Sequence, residues 1–266
     1  MLDKFERNIN YLRISVTDRC NLRCRYCMPE EGIRLISHDD ILTYDEITEF
    51  TRLAVANGVN KVRITGGEPL VRKGVTELVS RLAGIEGITD LSMTTNGVLL
   101  AEYAAGLAAA GLMRVNISLD TVDPERYRHV TRGGDIEAVF RGIAAARETG
   151  LRPVKINCVI NSTPDEVDAR AVAGYCIREG LEVRFIRQMD LASGTFSLVH
   201  GGSGGNCARC NRLRLTPAGM VKPCLFSDRG YSIRELGAAE ALRRAVEEKP
   251  ERGTVNSVNC FYNIGG

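Results

Sequence analysis

An α/β fold, wound as a partial (βα)6 TIM-type barrel, follows from three features of the sequence. Six short β-branched runs alternate with longer amphipathic stretches, glycines close four of those stretches, and polar residues recur just past the ends of successive runs. Strand alternating with helix implies a parallel sheet with right-handed crossovers. An open doubly wound sheet shares that pattern, but polar residues gathered at the carboxyl ends of many strands describe the single rim of a barrel enzyme. Six strands, against the eight of a full barrel, give about three-quarters of the closure.

The first strand is expected at 11–16 and leads into Thr17, Asp18, Arg19 and Cys20. A helix over 44–57 follows, with Asp45 early, where a carboxylate suits the helix dipole, and Gly58 just past its end. The second strand, 61–65, runs into Gly66, Gly67, Glu68 and Pro69 before a helix at 74–84. The third, 90–94, ends at Thr95, Asn96 and Gly97, and a helix over 99–111 stops at Gly111. The fourth, 114–119, ends at Ser118, Leu119 and Asp120; its helix, 135–149, stops at Gly150. The fifth, 154–160, carries Asn157 and precedes a helix at 164–179, with Asp165 early and Gly180 at its end. The sixth, 182–189, ends at Met189. Residues 1–190 thus read as the barrel. Residues 191–206 read as a short, flexible Gly/Ser-rich bridge, and 207–266 as an extension with a helix near 233–248 and a C-terminal tail.

Composition narrows the class. With 44% hydrophobic and 26% charged residues the chain is ordinary for a soluble globular protein. No run approaches the ~18 apolar residues of a membrane span, and no secretory signal is apparent. A net charge of +2 gives no polyanion-coating surface, so neither a nucleic acid nor a membrane is expected as partner. Nine cysteines, an odd number in close clusters without an export signal, argue for metal over disulfides and for the cytoplasm.

Cys20, Cys24 and Cys27 form a C-x3-C-x2-C loop after the first strand, and Cys207, Cys210 and Cys224 form C-x2-C-x13-C. Each set has three thiolates, one short of the four ligands of a structural zinc site or of the usual [4Fe–4S] cube. An open iron beside a barrel rim is a reactive-site signal. The bland alternatives are buried cysteines or a zinc knuckle completed from afar. Cys158, Cys176 and Cys260 match no ligand spacing and read as bystanders.

The first loop, with Tyr26 before its last cysteine, resembles the signature of radical S-adenosylmethionine enzymes. With the second cluster in view, the chain resembles the MoaA family of GTP 3′,8-cyclases in molybdenum cofactor biosynthesis. The likeness runs through Arg13 to Asn21, Cys27 to Gly32, Arg63 to Leu70, Thr94 to Gly97, Val115 to Asp120, Val154 to Asn157, Arg184 to Ile186 and the terminal Gly265 and Gly266. It implies the partial barrel of radical S-adenosylmethionine enzymes with a small iron–sulfur-binding extension. It also implies two [4Fe–4S] clusters on the six cysteines and S-adenosylmethionine on the open iron of the first. Tyr26, Gly66, Gly67, Glu68, Thr95, Ser118, Asn157 and Met189 are the implied cofactor-binding residues. Arg13, Lys61, Arg63, Lys155, Arg184, Arg212 and Arg214 are implied to hold GTP, with Arg212, Arg214, Gly265 and Gly266 at the reacting end. Alternation aims Lys61 and Arg63 to one side of their strand, and charges aimed into a barrel are costly unless they face an anion. The further partners implied are a low-potential electron donor, a downstream cyclic pyranopterin synthase and a second copy of the chain.

Two alternatives stand beside this: a radical enzyme with an auxiliary cluster acting on a peptide or another nucleotide, and a non-catalytic iron–sulfur or zinc protein. The basic set and the double-glycine tail favour GTP over the first. The missing fourth ligand at both sites argues against the second. The family usually carries dozens more residues between the sixth strand and the second cluster, so the bridge is expected to leave the substrate pocket short of a wall.

Overall fold

The computed structural model describes residues 1–258 and 261–264. Six parallel strands form its frame: β1 (Tyr11–Ser15), β2 (Lys61–Thr65), β3 (Asp90–Thr95), β4 (Arg114–Ser118), β5 (Lys155–Ile160) and β6 (Glu182–Arg187). They lie side by side in chain order, each paired with the next. A doubly wound sheet would reverse its strand order midway. A monotonic order winds every crossover the same way, as in a barrel.

The crossovers carry α1 (Tyr44–Ala56), α2 (Val75–Ala83), α3 (Leu100–Ala109), α4 (Pro124–Thr131), α5 (Ile136–Glu148) and α6 (Val167–Glu179). The sequence signals at their ends hold. Thr43 and Glu46 make a reciprocal capping box on α1, and Gly58, Gly111, Gly150 and Gly180 all adopt positive φ. Asp165 does not sit inside its helix, which starts two residues later behind a Glu166 N-cap. Helix α4 is one element the hydrophobic pattern misses. It is eight mostly polar residues, started by an Asp123 cap on the Arg126 amide and by Pro124.

One parity of β1 to β5 is buried under the helices: Leu12 and Ile14, Val62 and Ile64, Leu91 and Met93, Val115 and Ile117, Ile156 and Cys158; in β6, Val183 and Phe185 are partly buried. The other parity faces the concave side and is polar. Pairing sets it in rows. Arg214, Arg13, Arg63, Ser92 and Arg114 lie in register across five strands, with Arg212, Tyr11, Lys61 and Asp90 one layer towards the amino ends.

The segment after 207 joins this sheet. Strand β7 (Arg212–Leu215) pairs parallel with β1, and β8 (Met220–Lys222) and β9 (Tyr231–Ser232) continue antiparallel, making nine strands among the described residues. Helix α7 (Ala238–Glu247) packs on β8, β9 and α1. A last short helix, α8, spans Phe261–Ile264.

The bridge is not the flexible joint its composition suggests. Its backbone pairs Phe185 with His200 and Asp190 with Thr195. Leu191 is buried, and its carbonyl accepts from the Asn256 amide at 2.8 Å. Phe196 stacks on Phe226, ring centroids 4.5 Å apart. Gly205 has no room for a side chain, since a Cβ there would lie 1.9 Å from the Ser197 carbonyl oxygen. Glycine here permits close packing.

Candidate active site

The Cys20–Cys27 loop is held from both sides. On one side the turn after β2 presses against it. The Gly67 amide donates to the Thr17 carbonyl at 2.7 Å and the Glu68 amide to the Arg19 carbonyl at 2.8 Å. A Cβ on Gly67 would come within 2.4 Å of the Arg19 oxygen, and one on Gly66 within 2.9 Å of the Thr17 oxygen. These glycines are therefore required by the approach of two backbones. On the other side, α4 supports the loop: the Arg23 and Arg25 amides donate to the Thr131 and Val130 carbonyls. Arg132, in the left-handed region at the end of α4, donates to the carbonyls of Arg23 and Met28 at 3.0 and 2.9 Å.

The three thiols line a cavity of about 200 Å³ at the carboxyl rim, together with Tyr26, Gly66, Gly67, Thr95, Ser118, Asn157 and Met189. Burial first, and the neighbouring thiols next, push Cys24 up to about 12 and Cys27 higher still, and burial likewise raises Cys20. Mutually repelling, desolvated thiolates need a positive centre among them, and soft iron fits that donor set. No group of three metal-binding side chains among the described residues converges on a single ion position. A cube, which takes each thiolate on a different iron, does not require such convergence.

Glu68 stands behind this wall. It is fully buried, and its carboxylate accepts from Thr95 Oγ1 at 2.7 Å, the Asn96 amide at 2.7 Å and the Leu70 amide at 3.1 Å. Burial pushes its carboxyl up to about 7 against those donors. The Thr95 hydroxyl also accepts from the Gly97 amide. Glu68 and Thr95 thus tie the rim turns of β2 and β3 together. Asp120 is a rim residue the sequence placed but did not assign. Its carboxylate takes the Val159 amide at 2.8 Å and the Tyr26 hydroxyl.

A second cavity, about 390 Å³, holds Cys207, Cys210 and Cys224 together with Arg13, Lys61, Arg63, Arg184, Arg212 and Arg214. Arg63 donates to Ser92 Oγ at 3.3 Å, and both Arg63 and Arg212 lie over the Tyr11 ring, 5.5 and 5.7 Å from its centroid. Burial lowers the guanidinium pKa of Arg13 and of Arg214, the latter to about 10, and neighbouring guanidiniums add to the effect. Guanidinium does not deprotonate in proteins, so the repulsion is relieved by an anion. Asp90 is the carboxylate among the described lining residues, and Arg114 takes both of its oxygens at 3.0 and 2.6 Å. The buried Arg184 Nε has no hydrogen-bond partner among the described residues. This cavity is built for a polyanion.

Lys155 is the member of the basic set that the second cavity leaves out. It shares the inward parity but pairs in register with Glu182, and its ammonium forms an ion pair with that carboxylate. Alternation fixes the side of a strand and says nothing of the layer. Arg114 and Lys249, by contrast, line the cavity without having been expected there. The bridge lines part of this cavity: Phe196, Val199 and the run from Gly202 to Asn206 border it, and Arg212 donates to Ser203 Oγ at 3.0 Å.

The two cavities share Asn157, Ile186 and Met189 as a common wall. Phe261 also lines the first. Gly265, Gly266 and Cys260 lie outside the described residues. Cys158 and Cys176 are core residues, as expected.

A family model for the Radical SAM superfamily matches residues 14–171. The chain is 41% identical to a GTP 3′,8-cyclase of Geobacter sulfurreducens over 304 aligned positions, covering 95% of this chain and 93% of that one. It is 43% identical to a GTP 3′,8-cyclase of Moorella thermoacetica over 303 positions, covering 94% of each. Filling a 304-position alignment with 95% of 266 residues leaves roughly 50 residues that the Geobacter relative carries and this chain lacks. Among solved structures, Streptococcus suis SuiB bound to precursor peptide SuiA matches with a TM-score of 0.66 at 15% identity, over 91% of this chain and 65% of that one. Native anSMEcpe with bound AdoMet matches with a TM-score of 0.55 at 22% identity, over 70% of this chain and 54% of that one. At such identities these structures share the fold.

Proposed function

This chain belongs to the GTP 3′,8-cyclase family of the radical SAM superfamily, and on that premise we propose that it converts GTP to (8S)-3′,8-cyclo-7,8-dihydroguanosine 5′-triphosphate. That reaction is the first step of molybdopterin cofactor biosynthesis. The observation that carries the reading is the common wall of Asn157, Ile186 and Met189, which sets a three-thiol nucleoside cavity directly against a three-thiol polyanion cavity.

When bound, the two [4Fe–4S] clusters and S-adenosylmethionine would supply reducing electrons and a hydrogen-abstracting radical at the GTP ribose; joining C3′ to guanine C8 as the 7,8-dihydro product would take one further electron and one proton. The chain's own share is holding and excluding. Cys20, Cys24 and Cys27 hold the first cluster, and Cys207, Cys210 and Cys224 the second. Tyr26, Ser118, Asn157 and Met189 contact S-adenosylmethionine, while Gly66, Gly67, Glu68 and Thr95 fix the rim turns that shape its pocket. Arg13, Lys61, Arg63 and Arg184 neutralise the triphosphate, with Arg212 and Arg214 between it and the second cluster. Positioning of this kind replaces translational freedom with near-attack geometry, and the buried walls keep water from the radical. A low-potential electron donor, a cyclic pyranopterin synthase taking the product, a cytoplasmic setting and a dimer of this chain complete the proposal.

The test is anaerobic incubation of iron- and sulfide-reconstituted protein with S-adenosylmethionine, dithionite and GTP. The expected products are 5′-deoxyadenosine and cyclised GTP. Deoxyadenosine formed beside untouched GTP would overturn the substrate and favour a peptide or another nucleotide.

A further inference from the structure

Lys249 is one of the largest fully buried side chains in the molecule, at 1% exposure. It follows α7, within a charged stretch that reads as ordinary surface. Its ammonium donates to the Arg212 carbonyl at 2.7 Å and to the Pro223 carbonyl. It lines the same cavity as Cys210 and Cys224 and is close enough to both thiols for its charge to act on them. An ammonium has three N–H donors and no acceptor. Here two tie β7 to the residue preceding Cys224, and the third is left for the cysteine side chains of the same cavity. Arg7, another buried cation of this region, is already spent: it pairs with Asp3 at 2.7 Å and donates to the carbonyls of Cys207, Pro250 and Glu251. Together the two cations lock the second cysteine set to the chain's amino-terminal segment and to the end of α7.

We propose that Lys249 is the positioning residue and charge partner of the second cluster. It anchors the Cys210 and Cys224 turns to β7 and donates to the cluster-bound Cys210 thiolate, so that the cluster gains an electron more readily. The proposal rests on Cys207, Cys210 and Cys224 holding a cluster. A cation fixed at hydrogen-bond distance from a thiolate stabilises the more negative, reduced state. The same ammonium holds the Arg212 carbonyl, so the cluster and the strand carrying Arg212 and Arg214 move as one piece.

The test uses the full chain with Cys20, Cys24 and Cys27 all changed to Ser, leaving the second cluster as the one metal centre. Iron per chain and the midpoint potential, followed by electron paramagnetic resonance, are compared for Lys249, Lys249→Met and Lys249→Arg. The expected result is a downward shift of the potential in Lys249→Met that Lys249→Arg largely reverses. An iron-replete Lys249→Met with an unshifted potential overturns the proposal. Should Lys249→Met fail to fold, Lys249→Gln decides, because it keeps a hydrogen bond and loses the charge: a lowered potential supports the proposal and an unchanged one overturns it. A parent protein that binds no iron at this site would overturn the cluster reading, and the role of Lys249 with it.

Discussion

Replacing Gly67 with Ala puts a methyl group where the Arg19 carbonyl oxygen stands 2.4 Å away, with the Arg19 carbon at 2.7 Å and the Asp18 oxygen at 2.9 Å. Real Cβ contacts essentially never fall below 3.0 Å, so the two turns must part by at least about 0.6 Å. Every nearby obstacle is backbone, and no side chain can swing aside. Parting strains both rungs that join the turns, Gly67 to Thr17 and Glu68 to Arg19. Overpacking costs about 1–3 kcal/mol, and each weakened hydrogen bond about 0.5–1.5 kcal/mol. The sum, roughly 2–6 kcal/mol, corresponds to a fall in midpoint of roughly 4–24 °C for a chain of this size. The displaced turn leads straight into Cys20, so iron should be lost from the first site and kept at the second. The assay is thermal unfolding alongside iron counting and the resonance signal of the first cluster with S-adenosylmethionine. Gly106→Ala is the control: its Cβ would meet Thr76 at an ordinary 3.7 Å inside α3, and the helix should gain stability. A Gly67→Ala protein with full iron and an unchanged midpoint would refute the reasoning.

Two further outcomes follow from the ion pairs. Arg234 first, and its Thr43 neighbour next, hold the Glu46 carboxyl down at about 2. A depressed carboxylate stabilises the fold above its unfolded value near 4.5, and that contribution disappears as pH falls from there towards 2. With the carboxylate about one-third exposed, solvent screening reduces it to about 1 kcal/mol, so Glu46→Gln should lose about that much at neutral pH and flatten urea-unfolding stability across the acid range. Outside the second cavity, Lys155→Ala should weaken GTP binding by less than about threefold because Glu182 already neutralises the ammonium. Arg184→Ala removes a lining guanidinium with an unused donor and should weaken it by about 10–100-fold; equal losses in calorimetric titration would contradict the assignment.

The barrel was legible because buried parallel strands print themselves as apolar runs bounded by turn residues, and all six were found within two residues of their ends. Alternation put Lys61 and Arg63 on one side of their strand and the family resemblance named the rest of the basic set, but neither gave their depth. Lys155 and Arg184 look equivalent in sequence, and the partner strand decides that one meets Glu182 and the other the cavity. Helix α4 was invisible to hydrophobic pattern, although Asp123 and Pro124 are a cap and a first-turn residue that mark its start. Lys249 was hidden among Glu247, Glu248, Glu251 and Arg252, where a charge run usually means solvent. Burial by tertiary packing has no local signature. The bridge misled in the opposite direction, since glycine serves tight packing as readily as freedom.

The pairing of β7 with β1 sets a schedule for the molecule's birth. Arg214 sits across from Arg13, 201 positions earlier in the chain. Contacts so distant in sequence come late in folding. The crossovers that carry the first cysteine set can close while synthesis is still under way, but β1 stays an open edge, with its amides and carbonyls ready for any passing strand, until β7 arrives. The substrate-facing half of the molecule therefore matures last. A chain cut short before Arg212 would expose that edge permanently and would tend to pair with its copies instead of completing itself.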